Sequence, residues 1–332
     1  MRDTISPRQA ALFAFASASA PVITVCAGLH WLWALAATLA AGALTAAVIL
    51  LWRRVGEDLP SLLPVVWGRA GNVIALLAAV FAAAVLWRFF AWTDTAFPDL
   101  PTRPFVPLTL LAIAAFGAWK GSAACIRAVT AIALPLAALY AAVFLFALPD
   151  AQPQRLVNLP RGLPPVSLCA LLLPVSLVWF AAPGKGRPAR LSVLLTALLP
   201  AVTAAVCASV PGSGGSLYVM AENINVLSVG SRIEPLVSAA LTVGWFAAVC
   251  LPLMAAGRVA ERLTGRARVG VAAASLLALP GTVWDLPVPG AFFAVGTAIF
   301  CGLIPLLTLW IAALKKSEKK MKKAVDNSGS AC

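Results

Sequence analysis

The chain is poor in charge, and poorest in acid. Its 332 residues include 12 Asp and Glu, one His and two Tyr, and charged residues make up 11% of the total. The acids are Asp3, Glu57, Asp58, Asp94, Asp99, Asp150, Glu222, Glu234, Glu261, Asp285, Glu318 and Asp326, and none falls in the middle of an apolar run. Carboxylates within a membrane mark proton relays and cation sites, so their lack argues against a proton pump or a carboxylate-based antiporter. Backbone carbonyls at a broken helix still leave a route to Na⁺ binding. A lone His30 excludes a multi-histidine metal site or a histidine relay. No nucleophile and base are paired anywhere, so the chain is not expected to be an enzyme, and no cofactor is expected. Gly212-Ser213-Gly214-Gly215 is not a phosphate loop, because no lysine follows it. The seven cysteines, Cys26, Cys125, Cys169, Cys207, Cys250, Cys301 and Cys332, have neither metal-ligand nor disulfide-framework spacing and read as packing residues.

What the chain has is apolar length. It is 61% hydrophobic with a mean hydropathy of +0.94, which places it among all-α polytopic membrane proteins. A span needs about 20 apolar residues. Ten candidates are present, at roughly 8–29, 31–51, 72–92, 105–119, 124–148, 165–183, 189–210, 234–256, 268–285 and 288–314. Only His30 separates the first two, which predicts a tight hairpin. Arg2 and Arg8 followed by Ala18-Ser19-Ala20 imitate a signal peptide, but the apolar run continues past Pro21 to Leu29, so an uncleaved first span is expected.

Basic residues set the orientation. With the N-terminus cytoplasmic, the inside segments hold twenty of the 25 Lys and Arg, including Arg53 and Arg54, Lys185 and Arg187, Arg258 and Arg262, and six tail lysines. The net charge of +13 is thereby accounted for by loops and tail, and no nucleic-acid partner is expected. Both termini are expected inside. A single transmembrane domain is expected over 1–314, and 315–332 reads as a basic, disordered tail drawn to anionic lipid. The loop at 52–71 has room for a short amphipathic surface helix near Leu62 to Trp67, and the outer loop at 211–233 for a half-buried helix from Leu217 to Ser228.

Two spans carry interruptions at matching depth. Ser17-Ala18-Ser19-Ala20-Pro21 lies in the middle of the first, and Pro174-Val175-Ser176 in the sixth. Proline removes a backbone donor and clashes with the turn before it. In hydrocarbon the freed carbonyl needs protein or a cavity to shield it. Paired interruptions in two halves of a chain point to a transporter-type binding site. Pro135, Pro200, Pro252, Pro280 and Pro305 also lie in apolar runs and read as kinks. Helix N-termini at a break offer free amides and a dipole to a carboxylate, such as that of an amino acid. Around the third span, Trp87, Phe89, Phe90 and Trp92 cluster with Arg88. They read either as an interfacial belt with a snorkelling arginine or as a lid over a pocket. Trp179 and Phe180 follow the Pro174 break, and Arg232 and Glu234 flank the start of the eighth span as an expected ion pair.

Short motifs add a resemblance. Ile5-Ser6-Pro7-Arg8-Gln9 resembles the opening I-S-x-x-Q of endospore germination permease-type proteins, the B subunits of nutrient germinant receptors. Leu100-Pro101-Thr102-Arg103-Pro104 is similar to their L-P-x-T-P entry to span four. Trp119-Lys120-Gly121 with Ile126-Arg127 resembles the segment between spans four and five, and Asn158-Leu159-Pro160 a family asparagine-proline segment. Val229-Gly230-Ser231-Arg232-Ile233-Glu234 is similar to the outer segment ending R-I-E before span eight.

The resemblance implies the amino acid–polyamine–organocation superfamily. It implies a 5+5 inverted-repeat, LeuT-like fold with repeats at about 8–148 and 165–314 and with helices one and six broken. It implies a sensor of a small nutrient, expected to be an amino acid, in the spore inner membrane, with an A subunit and a lipoprotein C subunit as partners. The ligand is expected between spans one, three, six and eight. Ser17, Ala18, Ser19 and Ala20 would meet its charged end, and Trp87, Phe90, Ser176, Trp179 and Ser238 would form the walls. An amino-acid transporter of the same superfamily is the alternative.

Overall fold

The computed structural model describes residues 4–97, 104–157, 166–184, 190–211, 213, 216–226, 231–284 and 288–329. Among the described residues, six helices are long and apolar enough to cross a membrane, and four shorter apolar helices complete a set of ten. All ten coincide with the runs read from the sequence. The spans are α1 (Pro7–Cys26), α2 (Trp31–Val55), α4 (Arg69–Ala96), α5 (Phe105–Lys120), α6 (Ser122–Ala147), a 3₁₀ helix (Val166–Trp179), α7 (Arg190–Ser209), α9 (Glu234–Thr264), α10 (Ala267–Val283), and a tenth formed by α11 (Gly290–Thr297) and α12 (Ile304–Gly329). Between them lie the short helices α3 (Leu59–Trp67), where a surface helix is predicted, and α8 (Leu217–Asn223), which is shorter than the predicted half-buried helix because the chain turns extended at Asn225–Val226. The chain is an all-α, multi-pass integral membrane protein.

The packing pairs the two halves of the chain span by span. Each of the first four spans lies against its counterpart five spans on: α1 on the 3₁₀ span, α2 on α7, α4 on α9, and α5 on α10. The two most buried spans, α1 and α9, also pack on each other. Small residues permit the close approaches, as expected where helices associate without water to drive them. A Cβ on Gly270 would meet the Ala256 carbonyl oxygen at 2.2 Å, so α9 and α10 touch backbone to backbone there.

The first span departs from expectation. α1 runs unbroken through Pro21. Proline's fixed φ suits a helix, and the cost is one donor to the Ser17 carbonyl rather than loss of the turn. The sixth span is the irregular one. It is 3₁₀ across Val166–Trp179 with Pro174 inside, then turns into the extended pair Ala182–Pro183, strand β2. β2 pairs in parallel with β1 (Thr4–Ile5), and the Gly184 amide donates to the Ile5 carbonyl at 2.8 Å. This pairing ties the start of span one to the end of span six.

The I-S-x-x-Q motif has a clear physical role in the fold. Ser6 is the N-cap of α1: its Oγ accepts from the Gln9 amide at 3.2 Å, and Gln9 Oε1 accepts from the Ser6 amide at 3.2 Å. That reciprocal box satisfies two helix-end donors. In the tenth span a π-helical turn, Ala298–Leu303, precedes Pro305, which cannot donate. The tail is helical as far as Gly329, where the sequence predicts disorder. Its stretch 315–327 contains no Gly or Pro to stop the helix. Asn158-Leu159-Pro160, Lys185, Arg187, most of Leu100–Pro104 and Val229-Gly230 lie outside the described residues.

Candidate functional site

α1, α6 and α9 meet at one crossing near the middle of the bundle. Gly244 of α9 has no side chain to hold the helices apart. A Cβ there would lie 2.9 Å from Ala20 Cβ, 2.9 Å from Ser19 Oγ and 2.9 Å from the Tyr140 hydroxyl. Tyr140 comes from α6, and its hydroxyl donates to the Ala240 carbonyl at 3.2 Å. Ser19 Oγ donates to the Ala16 carbonyl at 2.8 Å, and Ser17 Oγ to the Phe13 carbonyl at 2.8 Å. Next to Gly244 in the chain, Trp245 is fully buried, and its indole N–H has no hydrogen-bond partner among the described residues. A buried donor left unmatched is uncommon, and the Trp33 and Trp52 indoles share that condition.

An aromatic cluster continues from Trp245. Its ring lies 5.6 Å from Phe89, which stacks on Trp92 at 6.1 Å, which in turn meets Phe293 edge-on at 5.2 Å. Arg88 lies over the Trp92 ring at 5.1 Å. Phe89, Phe90 and Trp92 are buried, so these third-span aromatics are interior and do not form a lipid-facing belt.

The other expected residues divide among several places. Because α1 is a continuous helix, Ser17, Ala18, Ser19 and Ala20 point about 100° apart in succession. Ser19 and Ala20 face α9, and Ala18 faces a separate cavity between α1, α2, α7 and the sixth span. Ser176 and Trp179 line a void of about 40 Å³ with Phe81, Ala82 and Val85 of α4 and Leu251 and Pro252 of α9. This void joins spans three, six, eight and ten and is about the size of one water. Ser176 Oγ donates to the Leu173 carbonyl. Trp179 donates to the Phe300 carbonyl at 2.9 Å, in the π-helical turn. Trp87 turns away to span nine, where its indole donates to the Leu277 carbonyl at 2.7 Å and it packs over Gly281. Phe90 is buried in α4, and Ser238 is half-buried on α9.

The crossing is closed toward both ends of the bundle. At the end away from the N-terminus, Tyr218 of α8 packs edge-on against Phe97 at 5.8 Å and donates to Glu234. The partner found for Glu234 is thus Tyr218, and the side chain of Arg232 lies outside the described residues. At the end carrying the N-terminus, β1 pairs with β2, and Phe13 meets Phe180 edge-on at 5.7 Å. There Asp58, at the start of α3, accepts from Arg258 Nε of α9 at 2.7 Å and from Ser61 at 2.5 Å. Arg258 also reaches Glu261 at 2.6 Å. Asp58 is 1% exposed, so this pair is buried on one side. Among the described residues no three His, Cys, Asp or Glu cluster as metal ligands do, and the six described cysteines are free thiols.

Tyr140, Gly244, Trp245 and the Asp58–Arg258 pair were not singled out by the sequence, whereas Phe89 was, as part of the third-span aromatic cluster. Tyr140 did carry a signal, because it is one of only two tyrosines and lies inside an apolar run.

No protein-family model matches the chain, and no curated protein matches it in sequence. Among solved structures, the chain is similar to a nucleobase-cation-symport-1 family transporter in a closed conformation with bromovinylhydantoin bound. The TM-score is 0.56 at 14% identity, covering 93% of this chain and 78% of that one. The fold is a LeuT-like transporter fold. The likeness extends to architecture alone.

Proposed function

We propose that this chain binds a small polar nutrient at the α1–α6–α9 crossing and acts as the sensing subunit of a spore nutrient germinant receptor. The observation that carries the binding site is the Trp245 indole N–H, buried without a partner among the described residues, one position along α9 from the Gly244 contact with Ser19 and Tyr140. A ligand carboxylate is a suitable acceptor for the Trp245 N–H. The Ser19 and Tyr140 oxygens, whose protons go to the Ala16 and Ala240 carbonyls, can accept from an ammonium, and Phe89 offers an apolar wall. An amino acid combines those features. The crossing is tightly packed as well as closed at both ends, so the ligand is admitted only in a second state in which α9 moves off α1, and it shifts the balance between the two states by its differential affinity for them.

The germinant-receptor reading rests on the motif resemblance, and the placement of those motifs supports it. The Ile5–Gln9 motif forms the cap and strand that fasten span one to span six, and the R-I-E segment leads into Glu234, the residue held by Tyr218. Both motifs therefore sit on the closures, where a change of state is transmitted to A and C subunits. The likeness to a cation-symport transporter with a bound small molecule favours a second reading, an amino-acid transporter in the cell membrane. The binding site is tested with labelled amino acids on the purified protein. Wild type is expected to show saturable binding, with at least ten-fold weaker binding in Trp245→Phe and retained folding. Equal binding by Trp245→Phe removes the proposed site.

A further inference from the structure

A second, much larger cavity lies on the opposite face of α1. α1 and α2 each pack on α7 and on the sixth span, yet α1 and α2 scarcely touch each other. These four elements leave a half-open cavity of about 430 Å³ between them. Its α1 wall is the stripe Pro7, Ala10, Ala14, Ala18 and Val22, spaced by three and four residues on one helix face. The α2 wall includes Gly42, Ala46 and Ile49. The lining is almost entirely hydrocarbon, which suits neither the ammonium nor the carboxylate of an amino acid.

Thr38, Thr45 and Thr196 add scattered hydroxyls to the lining, but the charge and the indole gather at one end. Trp52 and Arg53 line the cavity where α2 approaches its C-terminus. Trp52 is 3% exposed, and its indole N–H has no partner among the described residues. Arg54 follows, and Lys316 of α12 donates to the Arg54 and Val55 carbonyls at 3.3 and 2.9 Å. An apolar chamber with a basic mouth and a spare buried donor is complementary to one chemistry: a fatty acyl chain with an anionic group at its head.

We propose that this cavity is a binding site for one acyl chain of an anionic phospholipid, with Trp52 and Arg53 at the level of its ester and phosphate groups. The lipid fills the gap between α1 and α2 and so props span one against spans two, six and seven. The site is independent of the nutrient site, since α1 stands between them, and either can fail without the other.

The glycine in the α2 wall provides the test. A Cβ at Gly42 meets no atom within 4 Å, so a larger side chain there enters open space without a clash. Purified wild type, Gly42→Leu, Arg53→Gln and a control, Gly290→Leu (also with no atom within 4 Å), are exchanged into detergent micelles containing phosphatidylglycerol or phosphatidylcholine of the same acyl chains. Retained lipid is then counted by native mass spectrometry. The proposal expects wild type and Gly290→Leu to retain one phosphatidylglycerol with about ten-fold preference over phosphatidylcholine. It expects Gly42→Leu to retain none and Arg53→Gln to lose the preference. Phosphatidylglycerol should raise the unfolding temperature of wild type but not of Gly42→Leu. Equal retention by wild type and Gly42→Leu, or no preference between the two lipids in wild type, overturns it.

Discussion

Gly244 and Ser19 face each other so closely that a Cβ on the glycine would lie 2.9 Å from the serine Oγ. The same added carbon would also strike Ala20 and Tyr140, so no direction of relief is open. Gly244→Ala is therefore expected to push α9 from α1 and cost about 1–3 kcal/mol, the range for overpacking a well-filled core. Thermal unfolding of the purified protein in detergent reads this as a lower midpoint with weakened nutrient binding. A wild-type midpoint would mean that the crossing is looser than described.

Tyr140→Phe removes the hydroxyl that spans from α6 to the Ala240 carbonyl. One hydrogen bond of this kind contributes about 1 kcal/mol, so folding should survive. Nutrient affinity should fall more steeply, by at least ten-fold, or about 1.4 kcal/mol. Isothermal titration set beside a melting curve separates the two effects. Losses in step with each other would assign Tyr140 a packing role only.

Asp58 and Arg258 join α3 to the end of α9. Arg258→Gln strands a buried carboxylate and is expected to destabilise by about 3 kcal/mol. Asp58→Asn with Arg258→Gln together should recover part of that loss, since the uncompensated charge is gone. A double-mutant cycle by chemical unfolding gives the coupling directly, and additive losses would show that the two side chains act separately.

The sequence showed the spans but not how they meet. All ten apolar runs became helical segments because hydrocarbon leaves the backbone few alternatives. The Ser17–Pro21 stretch was legible as unusual, yet its geometry was not, since Pro21 is compatible with both a break and a continuous helix, and packing against α9 decides between them. Trp87 and Trp179 were found but their directions were not, because each is settled by a carbonyl on a distant span, at Leu277 and Phe300. Gly244 was invisible for the same reason: its role depends on Ala20 and Tyr140, which are far from it in the chain.

Ser6→Ala removes one half of the capping box and is expected to cost about 1 kcal/mol of α1 stability. The loss should be local. Hydrogen exchange should accelerate in the first turn of α1 and in the β1–β2 pair, and remain unchanged near Tyr140. Unchanged exchange at the first turn would mean that strand pairing alone holds the N-terminus.

The reading of this chain as a nutrient sensor with a transporter fold is decided by bound against internalised ligand. Purified protein in liposomes is offered a panel of labelled amino acids, and label on the protein and label in the lumen are scored separately. The receptor reading predicts saturable binding of one amino acid, lost in Trp245→Phe, with no accumulation or counterflow. Accumulation or exchange of label across the bilayer would contradict it and make the chain a transporter.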